Sequence, residues 1–237
     1  MKILIVTLSL ILVSCGSEDY RVTENKVNDP ERKTLRITEN MTECPVAEID
    51  KNSHSLLVAA GTGDELTLQS EVKNGKDIND IDSQGRTAIS CSVWNGWLKT
   101  LKLSLEFGGN PNLSDVFGVS PLMISVIRQD EEIFNELLDA GIFVNAQNLR
   151  KESVLHIAVL GDVKFVSKLL GQNGVNLELT NDQHQTPLFV AVLEGKEDAV
   201  DLLLEAGANS YEINADKIEN ESIRQKIRRA QNLKPIE

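Results

Sequence analysis

The sequence predicts an all-α protein in which short helix pairs stack one on another. The prediction rests on three kinds of position that recur together at steps of thirty-three residues. Hydroxyl residues occupy the first, at Thr87, Ser120, Ser153 and Thr186. Asx residues occupy the second, five residues earlier, at Asp82, Asp115, Asn148 and Asn181. Apolar residues occupy the third, two residues after the hydroxyl, at Ile89, Leu122, Leu155 and Leu188. A fixed period of this length indicates a solenoid, whose units bury their apolar faces against their neighbours.

The residue types at these positions explain what each repeat builds. A Ser or Thr side chain before a helix accepts a hydrogen bond from a first-turn N–H group, so each helix pair is expected to begin there. An Asx side chain five residues earlier folds the chain into a tight turn. Pro121 and Pro187 directly follow hydroxyl residues, at the helix position where the missing N–H of proline costs nothing.

The first fourteen residues predict an export signal. Met1-Lys2 supplies a short positive end, and residues 3–13 form an apolar run too short to span a bilayer. The run ends in Leu12-Val13-Ser14-Cys15, which resembles the lipobox of bacterial lipoproteins. This resemblance implies cleavage before Cys15 and lipidation of Cys15, with an uncleaved signal anchor or an ordinary signal peptide as the alternatives. Several acyl chains would bury enough CH₂ groups for stable anchoring.

Residues 15–45 are polar and charged with few large apolar side chains, which predicts a flexible tether. Gly16 follows Cys15, whereas many lipoproteins kept in the inner membrane carry Asp there. We therefore expect a cell-envelope lipoprotein, in the outer membrane and facing the periplasm if the host is Gram-negative.

The repeat domain is predicted over residues 46–213. Its five repeats are expected at about 49–81, 82–114, 115–147, 148–180 and 181–213, and a C-terminal capping helix and tail at 214–237. His54 stands at the hydroxyl position of the first repeat, as expected of a less constrained edge repeat. The fourth repeat lacks one residue before Gly161, which predicts a shortened turn between its helices. Ile218, Ile223 and Ile227 give the last helix one apolar face.

The repeats resemble those of the ankyrin family. The likeness is clearest in the fifth repeat, where residues 185–191 read QTPLFVA and residues 202–209 read LLLEAGAN. The resemblance implies an ankyrin-repeat solenoid of about five helix-turn-helix repeats joined by protruding hairpin-like loops. It also implies binding of another protein, through the loop tips and the exposed ends of the first helices. His156 falls at the histidine position of the family, where the imidazole commonly bridges loops.

Candidate protein-binding residues follow from that comparison. The ends of the first helices offer Trp94, Asn95, Ile127, Arg128 and Leu193, and the loop tips offer Val116, Phe117, Val119, Leu149 and Arg150. Trp94, Ile127, Leu160 and Leu193 recur at steps of thirty-three residues and form an apolar ladder. The ladder either lines an interaction surface or packs between repeats. Trp97 is expected to link neighbouring repeats.

The cysteines and histidines indicate no catalytic chemistry. Cys44 and Cys91 remain after Cys15, and an even pair in an exported protein predicts a disulfide. The alternative is that Cys91 is a small buried hydrophobe. His54, His156 and His184 lie in separate repeats, and none has a second ligand at metal spacing. We therefore predict no enzymatic activity, no metal, no cofactor and no small-molecule substrate.

The charge balance narrows the class of partner. Asp and Glu number 36 against 24 Lys and Arg, a net charge of −12 that argues against nucleic acid. An acidic surface favours a basic partner, although many proteins are acidic for solubility alone. The resulting hypothesis is an envelope-anchored binding protein that inhibits, or protects against, a basic envelope enzyme. The alternative is a structural or assembly lipoprotein that scaffolds an envelope complex or supports a stress-defence enzyme.

Overall fold

A computed structural model describes residues 54–233, and the fold class in this range is the predicted one. Every regular element of these residues is helical, apart from an isolated antiparallel bridge between Gln147 and Ser153. The predicted signal peptide, the lipidation site Cys15, the tether and Cys44 lie outside the described residues. No helix between residues 54 and 233 is long and apolar enough to cross a membrane.

The chain divides into two compact units after Gly141. The N-terminal unit contains three helix pairs: α1 (Ser55–Thr62), α2 (Glu65–Lys73), α3 (Ala88–Asn95), α4 (Leu98–Glu106), α5 (Pro121–Ile127) and α6 (Glu131–Asp139). First helices stack on first helices, α1 on α3 and α3 on α5, and second helices stack likewise. Its core contains fully buried side chains from every helix pair, among them Leu57, Leu68, Ile89, Leu101, Leu122 and Phe134.

The C-terminal unit contains two helix pairs and the terminal helix. The elements are α7 (Val154–Leu160), α8 (Val163–Leu170), α9 (Pro187–Leu193), α10 (Glu197–Glu205), a 3₁₀ helix (Ala215–Lys217) and α11 (Glu221–Leu233). Helix α11 packs on α10 and buries Ile223 and Ile227 completely. Lys226 of α11 pairs with Asp201 of α10 at 2.6 Å.

Helix starts follow the hydroxyl register. Thr87, Ser120, Ser153 and Thr186 each accept a hydrogen bond from the backbone N–H three residues on, at 3.1 to 3.4 Å. His54 makes no such side-chain cap before α1. These bonds confirm the expectation that hydroxyl residues begin the helix pairs. The sequence could predict the caps because a cap needs only local geometry.

The predicted Asx turns are also present, and they build the hairpin loops. In each turn the Asx Oδ1 accepts from the backbone N–H groups two and four residues on, at 2.9 to 3.0 Å. The turns place Gly85, Gly118, Lys151 and His184 at positive φ. The loops therefore have one backbone shape but different side chains at their tips.

The fourth repeat has the shortened turn that its sequence predicts. Its second helix begins nine residues after its first, at Val163 and Val154, whereas the two helix starts are ten residues apart in the other four helix pairs of residues 54–233. Asp162 still caps α8 by accepting from the N–H of Lys164 at 3.0 Å. The missing residue therefore shortens the link without preventing the second helix from starting.

Candidate protein-binding surface

Neighbouring hairpin loops within each unit are joined by backbone hydrogen bonds. In the N-terminal unit Val116 N–H donates to Gln84 O at 3.0 Å. In the C-terminal unit Asp182 N–H donates to Arg150 O at 2.8 Å. These bonds, added to the Asx turns, hold the loop tips in fixed positions. A pre-formed surface of this kind loses little conformational freedom when a partner binds.

The loop-tip candidates differ widely in exposure. Leu149 is 73% exposed and Val116 is 48% exposed, while Phe117 and Arg150 are half-buried. Val119 is only 1% exposed, because it follows the turn and packs into the unit just before α5. Val119 is therefore a packing residue, in contrast to its predicted place among the contact residues.

The apolar ladder at the ends of the first helices is mostly buried. Trp94 and Leu160 are each 9% exposed, Ile127 is half-buried, and Leu193 is 48% exposed. Asn95 and Arg128, the polar candidates beside the ladder, are half-buried. Of the two roles left open by the sequence, burial favours packing for Trp94 and Leu160, and among the four ladder residues Leu193 has the large exposed side chain.

Trp97 links the first two repeats, as expected. Its indole N–H donates to Gly61 O at 3.0 Å, and its ring lies against Gly63. A Cβ on Gly63 would lie 2.7 Å from the ring, so the two surfaces are in close contact. Although Trp97 is 45% exposed, its main contacts are within the unit.

Several exposed apolar residues were not among the candidates. Ile81 is 56% exposed and Phe143 is 60% exposed. The register could have identified Phe143, because the corresponding position holds Asn110 or Asn176 in neighbouring repeats, where the side chain caps a turn. The register also marks Ile81, because the corresponding position holds the polar residues Ser114, Gln147 and Thr180 in the later repeats.

Buried charge accompanies the hairpin loops. Burial raises the pKa of Asp115, although two backbone N–H groups donate to it. Burial also raises the pKa of Glu152, which is 9% exposed and accepts from Asn148 Nδ2 at 2.9 Å. Both carboxyl groups therefore have less stabilisation of their charged form than a solvated carboxyl group has.

His156 bridges the two loops of the C-terminal unit. Its Nδ1 lies 2.8 Å from Ser153 Oγ, and its Nε2 lies 2.9 Å from Gln185 O. The ring is 3% exposed, and burial lowers the pKa of His156. A neutral ring that accepts at Nδ1 and donates at Nε2 satisfies these contacts, which gives the histidine a structural role.

Cys91 is completely buried on α3. Its predicted disulfide partner, Cys44, lies outside the described residues, so the disulfide stays a prediction. Among residues 54–233 no group of three or more His, Cys, Asp or Glu side chains could hold a metal ion.

Stacked helix pairs, loops held by Asx turns and a bridging histidine define an ankyrin-repeat protein. The chain belongs to this family: residues 56–148 and 144–215 match the family profile described as ankyrin repeats, three copies. Ankyrin repeats are modules of protein–protein interaction, so the chain contains a protein-interaction module.

Individual relatives come from several organisms. A putative ankyrin repeat protein, YahD, of Escherichia coli (strain K12) is 29% identical over 65% of this chain and 80% of its own length. Potassium channel AKT2/3 of Arabidopsis thaliana is 28% identical over 70% of this chain, and L-asparaginase of Dirofilaria immitis is 27% identical over 67%. The match spans only 21% of the channel and 27% of the asparaginase, that is, a part of each protein.

Proposed function

We propose that this protein is a non-enzymatic binding module that inhibits an enzyme of the bacterial cell envelope and is anchored there by acyl chains on Cys15. The observation that carries the binding role is the exposure of apolar side chains on rigid loop tips, Val116 at 48% and Leu149 at 73%. Large apolar side chains held in water by fixed loops are typical of interaction sites.

The anchoring part of the proposal is supported by the sequence Leu12-Val13-Ser14-Cys15 after an apolar run. The choice of a basic enzyme as partner is supported by the net charge of −12, because opposite charge speeds encounter and selects partners. Within the binding class, these two features favour an inhibitor or protective protein that acts at the envelope.

The binding role is tested by affinity capture from detergent-solubilised envelopes. Val116→Asp and Leu149→Asp place a charge on each loop tip. Leu66→Asp is the matched control, since Leu66 is 80% exposed on α2, a second helix away from the tips. We expect a basic enzyme that is captured by the wild type and the control, lost with the tip variants, and inhibited in activity when bound. Equal capture by all four proteins would exclude the loop tips, and a bound enzyme with full activity would exclude inhibition.

The anchor is tested separately with an alkyne-labelled fatty acid fed to growing cells. We expect label on the wild type and none on Cys15→Ser, which should also leave the membrane fraction. Wild-type protein that carries no label would refute lipidation and leave the binding test unaffected.

A further inference from the structure

The hairpin loops of the second and third repeats share one backbone shape but differ in one ion pair. In the second repeat Asp82 Oδ2 accepts from Arg86 Nε at 2.6 Å, and both side chains are 6% exposed. In the third repeat Asp115 takes the place of Asp82, and Val119 takes the place of Arg86. Among residues 54–233 no cation pairs with Asp115. The third repeat thus keeps the carboxylate and lacks the cation that the same turn holds one repeat earlier.

Two cations that flank the loop of the second repeat in the chain are bound to carboxylates. Lys76 pairs with Glu71 at 2.6 Å, and Arg86 pairs with Asp82. Asp77 and Asp80 are exposed on the loop before α3. Asp80, next to Ile81 in the chain, and Asp115 therefore place negative charge on the two loops that follow.

Exposed apolar side chains lie on the same two loops. Ile81 is 56% exposed and Val116 is 48% exposed, and the bond from Val116 N–H to Gln84 O joins their two loops. We call Asp80, Ile81, Asp115 and Val116 the acidic loop face. Its combination of exposed apolar side chains and one sign of charge suits a basic segment that also carries apolar side chains.

The Asp115 carboxylate gains most from a cation supplied from outside. It is partly buried, and burial raises its pKa, so its charged form lacks the solvation that water would give. Asp115 Oδ1 is occupied by the N–H groups of Phe117 and Val119, both at 2.9 Å. A guanidinium group can meet a carboxylate with fixed geometry and is more weakly hydrated than an ammonium group, which favours arginine as the cation.

We propose that the acidic loop face docks an arginine-bearing segment of the protein partner, with one arginine paired to Asp115 and neighbouring apolar side chains packed on Ile81 and Val116. This inference rests on the proposed protein-binding function and names the chemistry of the partner. The partner supplies to the third repeat the cation that Arg86 supplies to the second.

The repeats themselves provide matched variants. Asp115→Asn removes the charge and keeps the turn, because Asn148 and Asn181 make the same two backbone bonds in later repeats. Val119→Arg reproduces the Asp82–Arg86 pair and fills the place of the external arginine. Asp139→Asn is the charge-matched control, since Asp139 is exposed at the end of α6. Urea unfolding of each variant shows that the repeats are intact before binding is measured.

The probe is a short blocked peptide of alternating leucine and arginine, titrated into the full chain while the methyl resonances of Ile81 and Val116 are followed by NMR. Its counterpart carries citrulline, the neutral isostere, in place of each arginine. We expect saturable shifts with the arginine peptide, about three- to fivefold weaker binding for Asp115→Asn, as for one ion pair that water still reaches, and a comparable loss for Val119→Arg. The Asp139→Asn control should bind like the wild type. Absence of shifts, equal binding of the citrulline peptide, or equal weakening by Asp115→Asn and Asp139→Asn would each overturn the proposal.

Partner capture separates this inference from the proposed function. A partner captured equally by wild type and Asp115→Asn would uphold protein binding and overturn the arginine site. If capture returns no partner while the peptide binds at Ile81 and Val116 in an Asp115-dependent way, the arginine site stands and the proposed function fails.

Discussion

Replacing Gly85 with alanine should destabilise the N-terminal unit by more than its backbone conformation alone explains. Gly85 closes the hairpin loop of the second repeat at a φ of 73°. A Cβ added there would lie 3.1 Å from Val116 N and 3.2 Å from the Asp115 backbone. These are backbone atoms that cannot rotate away, and Val116 N–H bonds Gln84 O in the same place. Crowding at Gly85 therefore pushes apart two stacked loops.

Gly108→Ala, as the control, separates the cost of the backbone conformation from the cost of crowding. Gly108 has a similar φ of 82°, and nothing lies within 4 Å of an added Cβ. Gly108→Ala should cost about 1 kcal/mol, the left-handed penalty less the entropy that alanine removes from the unfolded chain. Gly85→Ala adds crowding of about 1 to 2 kcal/mol, as in an overpacked site. The difference between the two variants measures the contact between the loops.

Urea unfolding followed by tryptophan fluorescence is the assay, because both tryptophans, Trp94 and Trp97, lie in the N-terminal unit. At a slope of about 2 kcal/mol per molar urea, the midpoint of Gly85→Ala should fall by about 1 to 1.5 M and that of Gly108→Ala by about 0.5 M. If the two variants have equal midpoints, the loops of the second and third repeats do not touch as described, and the reasoning fails.

Three further predictions concern single side chains. Glu152→Gln should stabilise the C-terminal unit at pH 7. Because burial raises the folded pKa of Glu152, the stability that its protonated form contributes below the unfolded pKa is lost as the pH rises through the folded pKa. Gln185 already fills this position one repeat later, and an unchanged melting temperature at pH 7 would contradict the prediction. Because the pKa of His156 is lowered in the fold, the free energy of unfolding should fall as the pH drops below 6.5, by at most about 1.4 kcal/mol per pH unit. The melting temperature of His156→Gln should depend less on pH between pH 7 and pH 5 than that of the wild type. An identical pH dependence would argue against a buried neutral ring. Trp97→Phe keeps an aromatic ring but loses the hydrogen bond from the indole N–H to Gly61 O, so chemical unfolding should show a loss of about 1 kcal/mol. A stability equal to wild type would mean that water replaces the bond.

Much of the local structure follows from sequence because its causes are local. A cap or an Asx turn needs donors within five residues of its acceptor, so Ser120 and Asp115 could be assigned their roles from spacing alone. The shortened turn before Asp162 was likewise readable from one missing residue in the period. Such features depend on chain neighbours and not on what packs against them.

Exposure at the candidate surface could not be read in the same way. Trp94 and Leu193 occupy one register position, yet Trp94 is 9% exposed and Leu193 is 48% exposed. Val116 and Val119 are three residues apart in one loop, and only Val116 reaches solvent. In each case the side chain's surroundings come from other parts of the unit, which sequence spacing does not specify.

The sequence by itself determined the period, the helix starts, the loop turns and therefore the ankyrin fold, since each is set by hydrogen bonds between near neighbours in the chain. The tertiary structure alone decided which apolar residues face water and whether a cation from elsewhere in residues 54–233 reaches Asp115. Those properties arise when residues thirty or more positions apart come into contact, as Val116 does with Gln84. The replacement of Arg86 by Val119 is visible in the sequence, but its consequence for Asp115 is defined only by the folded loop.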